Sequence, residues 1–365
     1  MKNLLFAFLV LSTHCLFGQA GAGKICLEGN RLFIVIPNEG FSIYDVSQPA
    51  SPSEIRFVEC PGIQDIAVRD EFIYANRYQD LYLLKVPKDR NMPDKVVKWK
   101  QNVFPSRSQS NPDRAKVQFF SSFEAYKEFW GGERLGGGMP LVSVNGSMSA
   151  LALGGDCLYV VDSSTVKTFI AKPTDPNALK ETDTQEFPEY VLETTWTPGG
   201  TKLYVGSKTG IFIFDNANRQ APKLISIYKH KFACDPVVVS GNYAYSTLRS
   251  GNQCTVRAKS ELVVIDVSNP EQPVKVSHVD MVNPYGLAIQ GNTLAVCDGF
   301  NGLQVFDVRD PKFPKPFGKI DNIQTYDVLI NENLTAFVSI QGNLNIYSLQ
   351  QPLSTVPLSI IPLQR

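Results

Sequence analysis

Carboxylates and arginines are the side chains with which this chain could do chemistry. Two aspartates facing each other across a channel, Asp65 and Asp327, could divide acid and base roles in a hydrolysis. A wider set, Asp65, Arg77, Tyr78, Asp235, Arg249, Arg257, Asp298 and Asp327, could hold a polar or anionic ligand through charge-assisted hydrogen bonds. The same set could instead satisfy itself and tie loops together. Histidine is scarce: the chain has three, and beyond His14 only His230 and His278 remain, neither near a plausible nucleophile. Ser/His/Asp and Cys/His catalysis therefore lack a base. Gly131-Gly132 and Gly136-Gly137-Gly138 resemble a phosphate loop only superficially, because no Lys-Ser/Thr pair follows them. With no DxDxDG loop and no cysteine or histidine cluster at zinc spacing, neither a metal nor a cofactor is expected.

What must position these residues is legible in a repeat. The stretches "FSIYDVSQPASPSEI" from Phe41, "LVVIDVSNPEQPVKV" from Leu262 and "LQVFDVRDPKFPKPF" from Leu303 repeat one phrase. Around Asp266 the apolar residues Leu262, Val263, Val264 and Ile265 run together without alternating, as in a strand covered on both faces. Pro270 and Pro273 and the β-branched content exclude a helix. The equivalents of Asp266 are Asp45, Lys85, Ala171, Asp215, Asp307 and Ser348, spaced by 40, 86, 44, 51, 41 and 41 residues. Proline recurs four residues later as Pro49, Pro270, Pro311 and Pro352, marking a common turn. Upstream, Gly-Asn pairs such as Gly291-Asn292 join two further apolar runs as tight hairpins. Each unit of about 41 residues thus holds four short strands, the pattern of a propeller blade. Seven such units fill the chain once two insertions are set aside, predicting an all-β, seven-bladed propeller of four-stranded blades in one domain over 21–365.

These phrases, with "GLAIQGNTLAVCDGFNGLQVFDV" and "GNYAYS", resemble the LVIVD-repeat proteins, exported bacterial cell-envelope proteins similar to β-propellers. Leu262 through Asp266 match the name-giving motif with Val at 264 and Ile at 265. The likeness is strongest in units five and six, moderate in one and seven, and weak in two to four. It implies an architecture and an exported location, and brings no catalytic residues with it.

In a propeller the connections between second and third strands and those between blades emerge at one end, here called the top. Both insertions fall there: "RSGNQCTVRAKSE" within unit five, and residues 102–147 between units two and three. Long excursions on a rigid scaffold are where binding surfaces concentrate. Phe119, Phe123, Tyr126 and Phe129 or Trp130 fall at helical spacing, predicting a short amphipathic helix that shapes or plugs the top face. The blade register puts Cys234 and Cys254 on the top of one blade, where a disulfide would close a loop of about 20 residues and contribute roughly 3 kcal/mol. The other four mature-chain cysteines fall at unmatched positions and are expected reduced.

"MKNLLFAFLVLSTHCLFGQA" reads as a secretory signal peptide over 1–20, cleaved near residues 19–21, with a lipid anchor at Cys15 as the alternative. Zero formal charge and 19% charged residues give no electrostatic reason to expect nucleic acid as a partner. The sequence therefore predicts an exported, monomeric, non-enzymatic scaffold that binds an envelope protein or glycan through its top face. The alternative is a propeller hydrolase or lyase using channel carboxylates and arginines.

Overall fold

The computed structural model describes residues 24–89, 91–106, 144–190, 192–196, 201–230, 236–249 and 259–363. Seven antiparallel sheets follow one another along the chain, at 25–59, 63–100, 151–186, 192–229, 237–280, 287–320 and 325–362. In each, four strands run in sequence order from the inner edge outward, which makes each sheet one propeller blade. All described regular structure is strand. The helix expected at 119–130 lies outside the described residues.

The unalternating third strands are explained by blade stacking. In blade five, Glu261–Asp266, Val263 and Ile265 pack toward blade four while Leu262 and Val264 pack toward blade six. Both faces of the strand are core, so no polar residue can be placed in it without being buried. Seven apolar clusters fill the seven interfaces between successive blades, the last joining Ile25, Leu32 and Ile34 of blade one to Leu329, Phe337 and Leu344 of blade seven. That last cluster closes the ring, with no strand exchanged between the first and last blades.

The repeated Asp marks where each third strand ends. The Asp266 carboxylate accepts the Ser268 N–H at 2.8 to 3.1 Å geometry shared with Asp45, Asp215 and Asp307. These bonds from the Ser268 side chain and backbone hold Asp266 below the usual carboxylate range. The next residue returns its N–H to the hairpin joining strands one and two, as Val267 does to the Asn242 carbonyl at 2.8 Å. All seven blades repeat that second bond, from Val46, Val86, Ala171, Asn216, Val267, Val308 and Leu349. It is a backbone bond, and therefore tolerates Lys85 or Ser348 at the marker position; in blade three the donor is Ala171 itself, so the marker there is Ile170, one residue before the position expected from spacing. At the hairpins Gly241 and Gly291 adopt φ of 56° and 57° with open space around them, so the positive φ is what favours glycine there.

One feature departs from the repeat. Val144–Asn145, at the end of the large insertion, pairs antiparallel with the inner strand of blade one, Ile25–Glu28, making that sheet five-stranded. A short strap, residues 144–149, thereby enters the central channel before the chain starts blade three.

Candidate functional site

The mouth of the channel is built from one position repeated around the ring. In blade two Asp65 pairs with Asn76, the fifth residue of the second strand Phe72–Arg77. In blade seven Asp327 pairs with Ser339, again the fifth residue of its second strand. The equivalent in blade one is Lys24, whose carbonyl accepts the Val35 N–H at 2.9 Å; in blade three it is Ala150 and in blade six Gly286, fixed by the same bond from Val161 and Cys297. Blades seven, one and two thus contribute Asp327, Lys24 and Asp65 in succession.

The strap lies over this group. Gly146 donates its N–H to the Ile25 carbonyl of blade one at 3.0 Å, and Lys24 Nζ donates to the Met148 carbonyl. The Ser147 hydroxyl accepts the Leu287 N–H of blade six at 2.8 Å and lies 3.5 Å from Asp327 Oδ1 in blade seven. Ser149 Oγ is 3.0 Å from each oxygen of Asp65, and the Ala150 N–H donates to Asp65 Oδ2 at 2.7 Å. Six residues therefore touch blades one, two, six and seven before the chain enters blade three. Small residues are required: a Cβ on Gly146 would sit 2.0 Å from Asp327 Oδ2, and one on Gly286 would sit 2.2 Å from Oδ1.

The two carboxylates differ in what they accept. Asp65 receives the Ile66 N–H at 2.9 Å besides Ser149 and Ala150. Asp327 receives the Val328 N–H at 3.0 Å on Oδ1, while its Oδ2 is buried with no hydrogen-bond partner among the described residues. Burial pushes Asp327 up to about 6, against the pull of Lys24 and with a smaller push from Asp65. Burial raises Asp65 as well, opposed by Lys24 and by its hydrogen bonds.

The other expected site residues that are described fall outside the mouth. Asp298, 1% exposed, follows the second strand of blade six, Thr293–Cys297, and holds two top loops together: its carboxylate accepts the N–H groups of Val282 and Asn283 at 3.1 and 2.7 Å and the Asn301 side-chain amide at 2.6 Å. The loops so pinned display Val282 and Phe300 at 66% and 76% exposure. Beside them the Arg249 guanidinium lies 3.9 Å above the Tyr285 ring, which meets Tyr326 edge-on at 5.5 Å. Arg77 donates to the Pro61 carbonyl at 2.7 Å and stacks on Tyr78 and Tyr82. Asp235, Arg257, Cys234 and Cys254 lie outside the described residues, while Cys26, Cys60, Cys157 and Cys297 are buried. Arg77 and Arg249 therefore engage rim aromatics, and among the described residues the cation of the mouth is Lys24. Sequence reasoning missed Lys24, Ser147 and Ser149. The signal for Lys24 was present, since it precedes Val35 by the same eleven residues that separate Asp65 from Asn76.

The chain carries LVIVD repeats: the LVIVD repeat family model matches residues 20–59 and 233–281, which contain blades one and five. No curated protein matches the chain by sequence. Among solved structures, a protein from Lactobacillus plantarum is similar at 12% identity and a TM-score of 0.61, covering 94% of this chain and 100% of that one. The periplasmic gluconolactonase of Pseudomonas aeruginosa is similar at 10% identity and 0.63, covering 94% and 96%. BamB from Moraxella catarrhalis is similar at 10% and 0.52, covering 86% and 79%. At such identities the likeness is one of fold.

Proposed function

We propose that this LVIVD-repeat propeller is an exported, non-catalytic scaffold that binds a cell-envelope protein or glycan through the top loops of blade six. The observation that carries the reading is the contrast within one end of the ring. The channel carboxylates are buried beneath the strap, with Asp65 already supplied with donors, whereas Val282 and Phe300 stand in solvent on loops fixed by Asp298. Exposed apolar side chains on a rigid frame, flanked by tyrosines and an arginine, have the composition of a binding hot spot. Export rests on the leader-like residues 1–20, and a mature mass starting near residues 19–21 supports it; a diacylated mass starting at Cys15 would replace release with anchoring.

A hydrolase or lyase has one observation in its favour, the raised Asp327. Against it, Arg77 and Arg249, two of the arginines expected to assist, are engaged with Pro61 and Tyr285. The binding reading is tested with a photo-crosslinking amino acid placed at Phe300 or, as control, at Phe313, which is 75% exposed but lies in a third-to-fourth-strand turn at the opposite end. Adducts with an envelope component at 300 and none at 313 are expected. Equal adducts at both positions, or none at 300, would refute it.

A further inference from the structure

The strap is held at its two carboxylates in unlike ways. Ser149 and Ala150 bring donors to Asp65. Gly146, by contrast, lies against Asp327 Oδ2, the oxygen that has no partner. An ionised carboxylate there keeps a charged oxygen away from both donors and water, whereas a protonated one is neutral and far cheaper to bury. Lifting the strap takes Gly146 off Oδ2 and admits water to it.

We infer that residues 144–149 form a latch on the channel mouth whose closing takes up a proton at Asp327, so that acid seals the mouth and neutral or alkaline conditions open it. The ionisable groups around Asp327 in the described residues are Lys24 from blade one, Asp65 from blade two, Cys297 and Asp298 from blade six, and Tyr326 beside it in its own strand. Lys24 pulls Asp327 down and Asp65 pushes it up, both less strongly than burial raises it. Cys297, raised well above the usual thiol range by burial, stays neutral. The strap itself, Val-Asn-Gly-Ser-Met-Ser, has no ionisable side chain, so the pH response resides in its receptor.

The direction follows from linkage. With the strap closed Asp327 titrates at about 6, against 3.8 for the ordinary carboxyl. Closing is therefore at full strength below the lower value, weakens as pH rises toward the upper one, and levels off above about pH 7. Between about pH 5 and pH 8 the closing constant falls by up to about tenfold, the limit reached when opening returns Asp327 to its ordinary value. This holds whichever partner the blade-six loops bind.

Amide hydrogen exchange on the whole chain tests the latch. The strap peptide is followed at about pH 5 and pH 8, corrected for chemical exchange, with the blade-seven strand Asn343–Ser348 as reference. Protection of the strap is expected to drop by up to about tenfold more than that of the reference, and Asp327→Asn, neutral at every pH, should keep it protected throughout. In the unaltered chain, peroxide should oxidise Met148 faster at the higher pH when rates are taken relative to exposed Met92. Equal strap protection at the two pH values, or a pH response that survives Asp327→Asn, would overturn the latch. Should that variant not fold, the Met148 rates in the unaltered chain decide, and a ratio unchanged with pH overturns it.

Discussion

Asp298 and Asp327 lie in neighbouring blades at the same end of the propeller, 1% and 5% exposed, and they organise their surroundings in opposite ways. Asp298 accepts two backbone N–H groups and an amide, and the loops it ties are a fixed platform that displays Val282 and Phe300. Asp327 has an oxygen left over, and the segment above it is attached by one short β pairing and a few bonds from Gly146 to Ala150. A buried carboxylate whose acceptors are all used behaves as a rivet. One whose acceptors are partly used is a point where protonation state and conformation are linked.

The largest effect should come from removing the rivet. Asp298→Ala leaves two N–H groups and an amide without their acceptor, and is expected to cost about 4 kcal/mol in denaturant unfolding. A loss below about 1 kcal/mol would mean that water replaces the carboxylate and the platform is not built on it. Asp327→Asn should behave differently. Because the folded-state carboxyl titrates above its unfolded value, the contribution of Asp327 to stability is greatest in acid and is lost as pH rises through about 6. From about pH 5 to pH 8 the wild type should lose roughly 1.5 kcal/mol relative to the variant; parallel stability curves would erase the distinction between the two aspartates.

Smaller effects sharpen the same contrast. Gly146→Ala places a Cβ 2.0 Å from Asp327 Oδ2, so the strap should give way before the ring does. Exchange protection should fall across residues 144–149 while the global unfolding free energy moves by less than about 1 kcal/mol. A larger global loss would show that the strap is part of the core. Phe300→Ser, at an exposed tip, should change stability by less than about 0.5 kcal/mol; a greater change would mean that Phe300 serves the fold.

The architecture was readable because its signals are local and repeated. Asp45, Asp215, Asp266 and Asp307 each cap a third strand through a bond to a residue two positions on, and proline follows in three of these blades. Lys85 and Ser348 share the position without the aspartate, and spacing located them because the bond made by the following residue is a backbone one; in blade three spacing fell one residue late, on the donor Ala171 instead of Ile170. Asp65 and Asp327 were legible as the starts of inner strands for the same reason. The strap was not. Val144–Asn145 pairs with Cys26 and Leu27 far away in sequence, and two paired residues have no periodicity to read. Without the strap, the serines that meet the two carboxylates looked like part of a connection. Asp298 was foreseen on the top face as a ligand-binding residue, and its actual partners are the loop amides that hold the exposed apolar residues in place.

Hydroxyl-radical footprinting of the intact protein, with and without envelope extract, compares platform and channel in one measurement. Extract is expected to shield Val282 and Phe300 while Met148 in the strap and Phe313 at the opposite end label at unchanged rates. Shielding of Met148 with Val282 and Phe300 still fully labelled would place the partner at the channel mouth and contradict that expectation.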